Sequence, residues 1–275
     1  DRFIDLAPSL ACFGHMGRIL SLPQYRHLAE VPTDTPWEDQ PWPQRLRGLT
    51  IDARNPQSQS LLNRMLDEYL PLFSSRFANI GGDEAHDLGR GRNKEHCARA
   101  GRGRLYVEHL KFLAAACDRH GKRMMFWGDM VRSFPDLVAE LPSDAVILDW
   151  GYDADSRFDF ATSPARGERD VCVCPGSSGW NRVLNGINNA DVNITAAATA
   201  AHTDGATGLI LTDWGDHGHF NMLGCSMPAV AHAAARAWNA GARSPDLALE
   251  RFALGTDADG LLPALRRVAR IGDNT

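Results

Sequence analysis

About six short apolar runs recur along the chain, and each leads into polar, aromatic or glycine residues at its C-terminal end. The first is Phe3-Ile4-Asp5-Leu6-Ala7-Pro8-Ser9-Leu10, which leads into Phe13-Gly14-His15-Met16. Phe77-Ala78-Asn79-Ile80 follows, then Met124-Met125-Phe126-Trp127-Gly128-Asp129, Ala145-Val146-Ile147-Leu148-Asp149-Trp150-Gly151-Tyr152, Val171-Cys172-Val173-Cys174-Pro175-Gly176 running on to Trp180, and Leu209-Ile210-Leu211-Thr212-Asp213-Trp214-Gly215-Asp216. Helical patterns lie between them. Asn55-Pro56 makes a cap and first turn for Leu62, Met65, Leu66, Tyr69, Leu70 and Phe73 at helical spacing. Residues 105–120 and the alanine-rich 229–240 also read as helices. Buried strands alternating with helices imply a parallel sheet covered on both faces, and polar groups gathered at strand C-terminal ends mark the active face of a (β/α) barrel. The expected fold is therefore α/β, a (β/α)8 TIM-type barrel that is incomplete in this chain; an open doubly wound sheet is the alternative. The barrel is expected over 1–243, with terminal helices over 244–275.

The second run carries the most chemistry, because it ends in Gly81-Gly82-Asp83-Glu84-Ala85-His86. Paired glycines permit backbone angles that a side chain forbids, so two adjacent carboxylates can be set at a strand mouth. Successive strand residues point to opposite faces, and both acids can serve one site only if the strand ends or bends there. The plainer alternative is a solvated turn before a helix, its acids complementing the helix dipole.

Taken in order, these motifs resemble the catalytic barrel of glycoside hydrolase family 20, the exo-acting β-N-acetylhexosaminidases, over residues 3–219. Gly81-Gly82-Asp83-Glu84 matches the catalytic strand, Phe13-Gly14-His15 is similar to the family's Pro-Gly-His, and Trp214-Gly215-Asp216 is similar to its Trp-x-Glu. The resemblance implies retaining cleavage of a terminal β-linked N-acetylglucosamine or N-acetylgalactosamine, the substrate's acetamido oxygen serving as nucleophile through an oxazolinium intermediate. It assigns Glu84 as general acid and then base, Asp83 as the group orienting the acetamido nitrogen, and His15 as their hydrogen-bonding partner. Trp127, Trp150, Trp180 and Trp214 become sugar-binding aromatics, and Asp216 an acceptor for sugar hydroxyls, while Asp213 has a structural reading. A glycan with a terminal N-acetylhexosamine is the implied partner, with no cofactor and no metal.

Several positions depart from the family pattern. A tyrosine expected near the end of the seventh strand is replaced by Pro175-Gly176-Ser177-Ser178-Gly179-Trp180-Asn181, and Tyr152 on the preceding strand is its substitute. The first run corresponds to the family's third strand, so the two opening strands and a substrate-binding arginine are expected to be missing. A partial barrel exposes an edge that favours pairing with another chain, which keeps a homo-oligomer open. It also keeps open a second function, a non-catalytic glycan-binding remnant. A third, a metal-dependent hydrolase, draws on His86, His96 and His217-Gly218-His219, but metal barrels favour His-x-His on an early strand rather than after the last.

Composition sets outer bounds. A net charge of -5 makes no electrostatic case for nucleic acid or anionic membrane, and no run approaches the roughly 20 apolar residues of a membrane span. The six cysteines lack a framework spacing and read as buried thiols of a reducing, cytoplasmic compartment. Residues 32–43 read as a Pro-rich loop and the basic, glycine-rich 89–104 as a solvated one.

Overall fold

A computed structural model describes residues 3–47, 49–163, 166–218, 221–242, 250–251, 255 and 260–272. It divides into two compact units, residues 1–148 with 164–170 and residues 149–163 with 171–275. The strands are β1 (Phe77–Asn79), β2 (Arg123–Trp127), β3 (Val146–Trp150), β4 (Val171–Cys174) and β5 (Gly208–Leu209). Helices of seven residues or more are α1 (Pro56–Tyr69), α2 (Lys94–Ala100), α3 (Arg102–Asp118), α4 (Ile187–Asp204), α5 (Met227–Trp238) and α6 (Leu261–Ala269). The division falls within β3. Among the described residues, no helix is long and apolar enough to cross a membrane.

In the first unit the strand order is β1-β2-β3, all parallel, with Ala78 opposite Met124 and Phe126 opposite Ile147. Asn55 caps α1 as its sequence demands: its side chain accepts the Gln57 N–H at 2.9 Å, and Pro56 opens the first turn. The apolar face of α1 buries Leu61, Leu62 and Leu66, and α3 packs on both α1 and β2. The first apolar run is shifted from its expected span. Phe3, Ile4 and Leu6 are exposed, and only the residues from Pro8 onward pair beside β1. Asn79 N–H donates to the Pro8 carbonyl, and the Leu10 and Cys12 N–H groups donate to Asn79 and Ile80. Pro8 has no N–H of its own, so the ladder begins at its carbonyl.

Two segments read as loops are more ordered than expected. Residues 32–43 include a 3₁₀ turn, Trp37–Asp39, and the start of a short helix, Trp42–Arg47. Buried Gln40 pins this segment by donating to Ser21 Oγ and the Thr35 carbonyl. Residues 89–104 form α2 and the opening of α3 rather than a solvated loop. The cause is a buried carboxylate far upstream: Glu30 accepts the backbone N–H groups of Gly91 and Asn93 and the Asn93 side-chain amide. The same amide donates to Asp52 at 2.7 Å.

In the second unit the order is β3-β4-β5, with Cys172 opposite Gly208 and Val173 opposite Leu209 in parallel. Its core is built on α4, whose Ala190 and Ile194 meet Ala229 and Ala233 of α5. Ile187 meets Leu262 and Ala269 of α6, and Ala197 packs with Val173 and Phe158. The fold class is thus that of an incomplete (β/α) barrel, with five strands formed among the described residues plus the bridged segment before β1. All six cysteines are free thiols. The domain boundary expected at 243 and 244 lies outside the described residues.

Candidate active site

The mouth of β1 is shaped by left-handed backbone. Gly81 and Gly82 have φ of +72° and +90°, and Glu84 itself sits at +43°. Asn79 accepts the Gly81 N–H in its side chain, and Trp127 N–H donates to the Gly81 carbonyl, so pairing stops at this turn. The two acids therefore follow the end of the strand instead of alternating across it. His15 Nε2 lies 3.2 Å from Asp83 Oδ2 and 3.5 Å from Glu84 Oε2.

His15 is held by an equally unusual segment. Its own φ is +57°, a strained value for a residue with a Cβ. Gly14 precedes it because a Cβ there would lie 2.5 Å from the Asp83 carbonyl oxygen. Behind them, His109 Nε2 is 2.9 Å from the Cys12 carbonyl, and the His109 ring packs on Phe13 with centroids 4.4 Å apart. Buried Tyr106 donates its hydroxyl to the Gly82 carbonyl at 2.9 Å. Burial, then the charges of Asp129 and Asp83, holds the Tyr106 phenol well above its ordinary pKa of 10, so it stays a neutral donor.

The hydrogen bond to Asp83 raises the His15 pKa above 6.5; burial opposes this, and the charges of Asp83, Glu84 and Asp129 add to it. A raised histidine stabilises the fold fully below 6.5, and that contribution fades as pH climbs through the raised value. Two further groups lie against Glu84, one local in sequence and one distant. His86 Nε2 is 3.7 Å from Glu84 Oε2, and Asp129 Oδ2 accepts the Glu84 backbone N–H at 3.0 Å. The only sequence signal for Asp129 is its place just past β2, after Trp127-Gly128. Trp127 closes that strand and is buried.

The remaining predicted residues belong to the second unit, which brings four of them together. Trp150 stacks on Tyr152 at 5.0 Å and 23°, and Tyr152 meets Trp180 at 5.0 Å and 54°. Trp214 Nε1 donates to the Tyr152 hydroxyl at 2.8 Å. Asp216 is half-buried and opens a 3₁₀ turn, Asp216–Gly218. Asp213 is taken up structurally, accepting hydrogen bonds from the Ser177 and Ser226 hydroxyls. Asn185 extends that network to the Ser177 carbonyl and Ser226, and Asn221 donates to Asn185. His219, on which the metal alternative drew, lies outside the described residues, among which no three His, Cys, Asp or Glu side chains converge as ion ligands.

Paired carboxylates at a strand mouth of a parallel α/β fold are compatible with glycoside hydrolysis, and comparison with known proteins supplies the family. The profile of glycosyl hydrolase family 20, catalytic domain, matches residues 1–178. The chain belongs to glycosyl hydrolase family 20. It is 24% identical over 259 residues to human hexosaminidase D, covering 82% of this chain and 48% of that protein. To the beta-hexosaminidase of Porphyromonas gingivalis it is 26% identical over 189 residues, covering 65% of this chain and 22% of that protein. The chain thus spans about half the length of the first of these relatives. Among solved structures, the β-N-acetylhexosaminidase of Bacteroides fragilis superposes with a TM-score of 0.68 at 15% identity, over 94% of this chain and 54% of that one. The Streptomyces coelicolor A3(2) enzyme gives 0.59 at 19% identity, over 93% and 53%. At such identities the likeness is one of fold.

Proposed function

We propose that this chain carries the catalytic machinery of a retaining exo-β-N-acetylhexosaminidase, acting on terminal β-linked N-acetylglucosamine or N-acetylgalactosamine. The observation that carries the reading is the convergence of two adjacent carboxylates on one imidazole nitrogen, at 3.2 and 3.5 Å. In the first step the Glu84 carboxyl gives its proton to the glycosidic oxygen as the bond from C1 breaks. The acetamido carbonyl oxygen closes on C1, and the Asp83 carboxylate accepts the acetamido N–H that becomes acidic as the oxazolinium forms. In the second step Glu84, now a carboxylate, takes a proton from the water that attacks C1, reopening the ring with retained configuration.

His15 donates to Asp83 and fixes its orientation. A histidine with a raised pKa suits this role, since the protonated ring is a donor on both nitrogens. The aromatic cluster of the second unit has the chemistry that sugar binding takes, namely flat rings for an apolar sugar face and an acetamido methyl. The Trp214 indole N–H fixes the Tyr152 hydroxyl within this cluster, and we read Tyr152 as the tyrosine for an acetamido carbonyl. Asp216 supplies an acceptor for sugar hydroxyls.

The test is release of an aryl group from an aryl β-N-acetylglucosaminide, run beside Glu84→Gln and beside the matching β-glucoside. Hydrolysis of the acetamido sugar alone, lowered by ~10² to 10⁴ in the variant, is the expected result. Equal hydrolysis of both sugars would remove the acetamido group from the mechanism. No hydrolysis by folded protein would refute the activity.

A further inference from the structure

We propose that Asp129 is a positioning residue for Glu84, holding the backbone of the acid in the left-handed turn from which its carboxyl reaches the reacting bond. The inference rests on the reading of Glu84 as the general acid. Its basis is the bond from the Glu84 N–H to Asp129 Oδ2 at 3.0 Å, formed across 45 residues of sequence. Glu84 is not a glycine, yet its φ is +43°, and such a conformation persists only when neighbouring groups impose it. A carboxylate accepting a backbone N–H makes a charge-assisted bond, a stronger class than neutral pairs.

Asp129 is well suited to impose that conformation because its own position is fixed. It follows directly on β2, where Trp127 N–H donates to the Gly81 carbonyl and Gly128 N–H donates to Leu148 of β3. It also opens a helical turn, Asp129–Arg132, closed by Arg132 N–H on the Gly128 carbonyl. The mouth of β1 is therefore tied to the end of β2 twice, once before the acids at Gly81 and once at the acid itself. The side chain of Glu84 then has two imidazoles near its Oε2, His15 at 3.5 Å and His86 at 3.7 Å. The backbone bond determines where that carboxyl begins, and a displacement of about 1 Å in a catalytic group can cost on the order of 10² in rate. The Asp129 charge also contributes, after Asp83 and Glu84, to holding the proton on His15.

Two variants separate positioning from plain stability. Asp129→Ala removes the acceptor, and Asp129→Asn keeps the shape and one oxygen but not the charge. Each is assayed on a series of aryl β-N-acetylglucosaminides with good and poor leaving groups, and amide hydrogen exchange at Glu84 is measured in the same folded samples. The expected result is a fall in kcat of about 10² for poor leaving groups in the alanine variant, a much smaller fall for good ones, and KM little changed. The asparagine variant should lie between, and Glu84 exchange should quicken in both. A loss equal across leaving groups, or Glu84 exchange unchanged from wild type, would overturn the proposal. Should the alanine variant fail to fold, the asparagine variant decides by the same two readouts. If wild-type protein cleaves none of the series, the proposed activity fails, and the exchange rates alone then say whether Asp129 fixes Glu84.

Discussion

Acid should unfold this protein partly through His109. Its Nε2 faces the Cys12 carbonyl at 2.9 Å, and because a carbonyl can only accept, that nitrogen carries the hydrogen. Nδ1 is buried and has no hydrogen-bond partner, so adding a proton there would create an unpaired buried cation. Burial accordingly pushes the His109 pKa down to about 4, against an ordinary 6.5, with the Cys12 bond opposing the shift. Between those values the unfolded chain binds a proton that the folded chain refuses. Stability is therefore full above pH 6.5 and falls steadily as pH drops toward 4, where the loss is complete. At 1.36 kcal/mol for each pH unit the interval amounts to about 3 kcal/mol, a large part of the roughly 5–15 kcal/mol that holds a typical domain folded. The assay is urea unfolding at a series of pH values from 7 to 4, comparing wild type with His109→Gln. The glutamine keeps an N–H donor but cannot titrate. Its lost packing against Phe13 shifts the whole curve, and only the slope with pH reports the proton. Wild type should lose about 3 kcal/mol more than the variant across this range; parallel curves would refute the reasoning.

Gly14→Ala would set a methyl group 2.5 Å from the Asp83 carbonyl oxygen, a contact that forces one strand mouth to retreat. It should cost about 1–3 kcal/mol in thermal or urea unfolding and lower kcat more than a surface change does; unchanged turnover would show that the acids tolerate the displacement. Asn93→Ala removes the amide that donates to Glu30 and Asp52, leaving two buried carboxylates short of a donor, at a cost of about 3 kcal/mol in denaturant unfolding. Asn93→Asp should be worse at pH 7, since it adds a third negative charge, and an aspartate variant as stable as wild type would contradict this account.

The strands were legible wherever burial made a run wholly apolar. Residues 146–148 and 171–174 read as strands for that reason, since both faces are covered and no alternation is needed. β5 is shorter than the apolar run that predicts it, and Thr212 pairs with Gly176 only as an isolated bridge. α4 left no readable pattern because alanines and Asn193 outnumber the two isoleucines, Ile187 and Ile194, on its buried face. That asparagine is a core residue by virtue of its partners, the Gly151 and Asp153 carbonyls and the Gly176 N–H. The acid pair stood out because two glycines and two carboxylates are adjacent in the chain. Asp129, Tyr106 and His109 did not, because each reaches the site through a bond to a residue 24 or more positions away. Contacts of that kind have no local signature.

The aromatic cluster has an optical consequence. Three of the seven tryptophans surround one phenol, with ring centroids 5.0 Å apart along Trp150, Tyr152 and Trp180 and an indole hydrogen bond from Trp214. At such separations the excited phenol passes its energy to an indole before it can emit, so Tyr152 feeds its neighbours' emission rather than adding its own. Trp214, with 38% of its surface exposed, is the most open of the three indoles, and Trp150 and Trp180 are partly buried. The unmodified chain thereby carries a phenol that reports on three of its seven indoles, a built-in probe that requires no label.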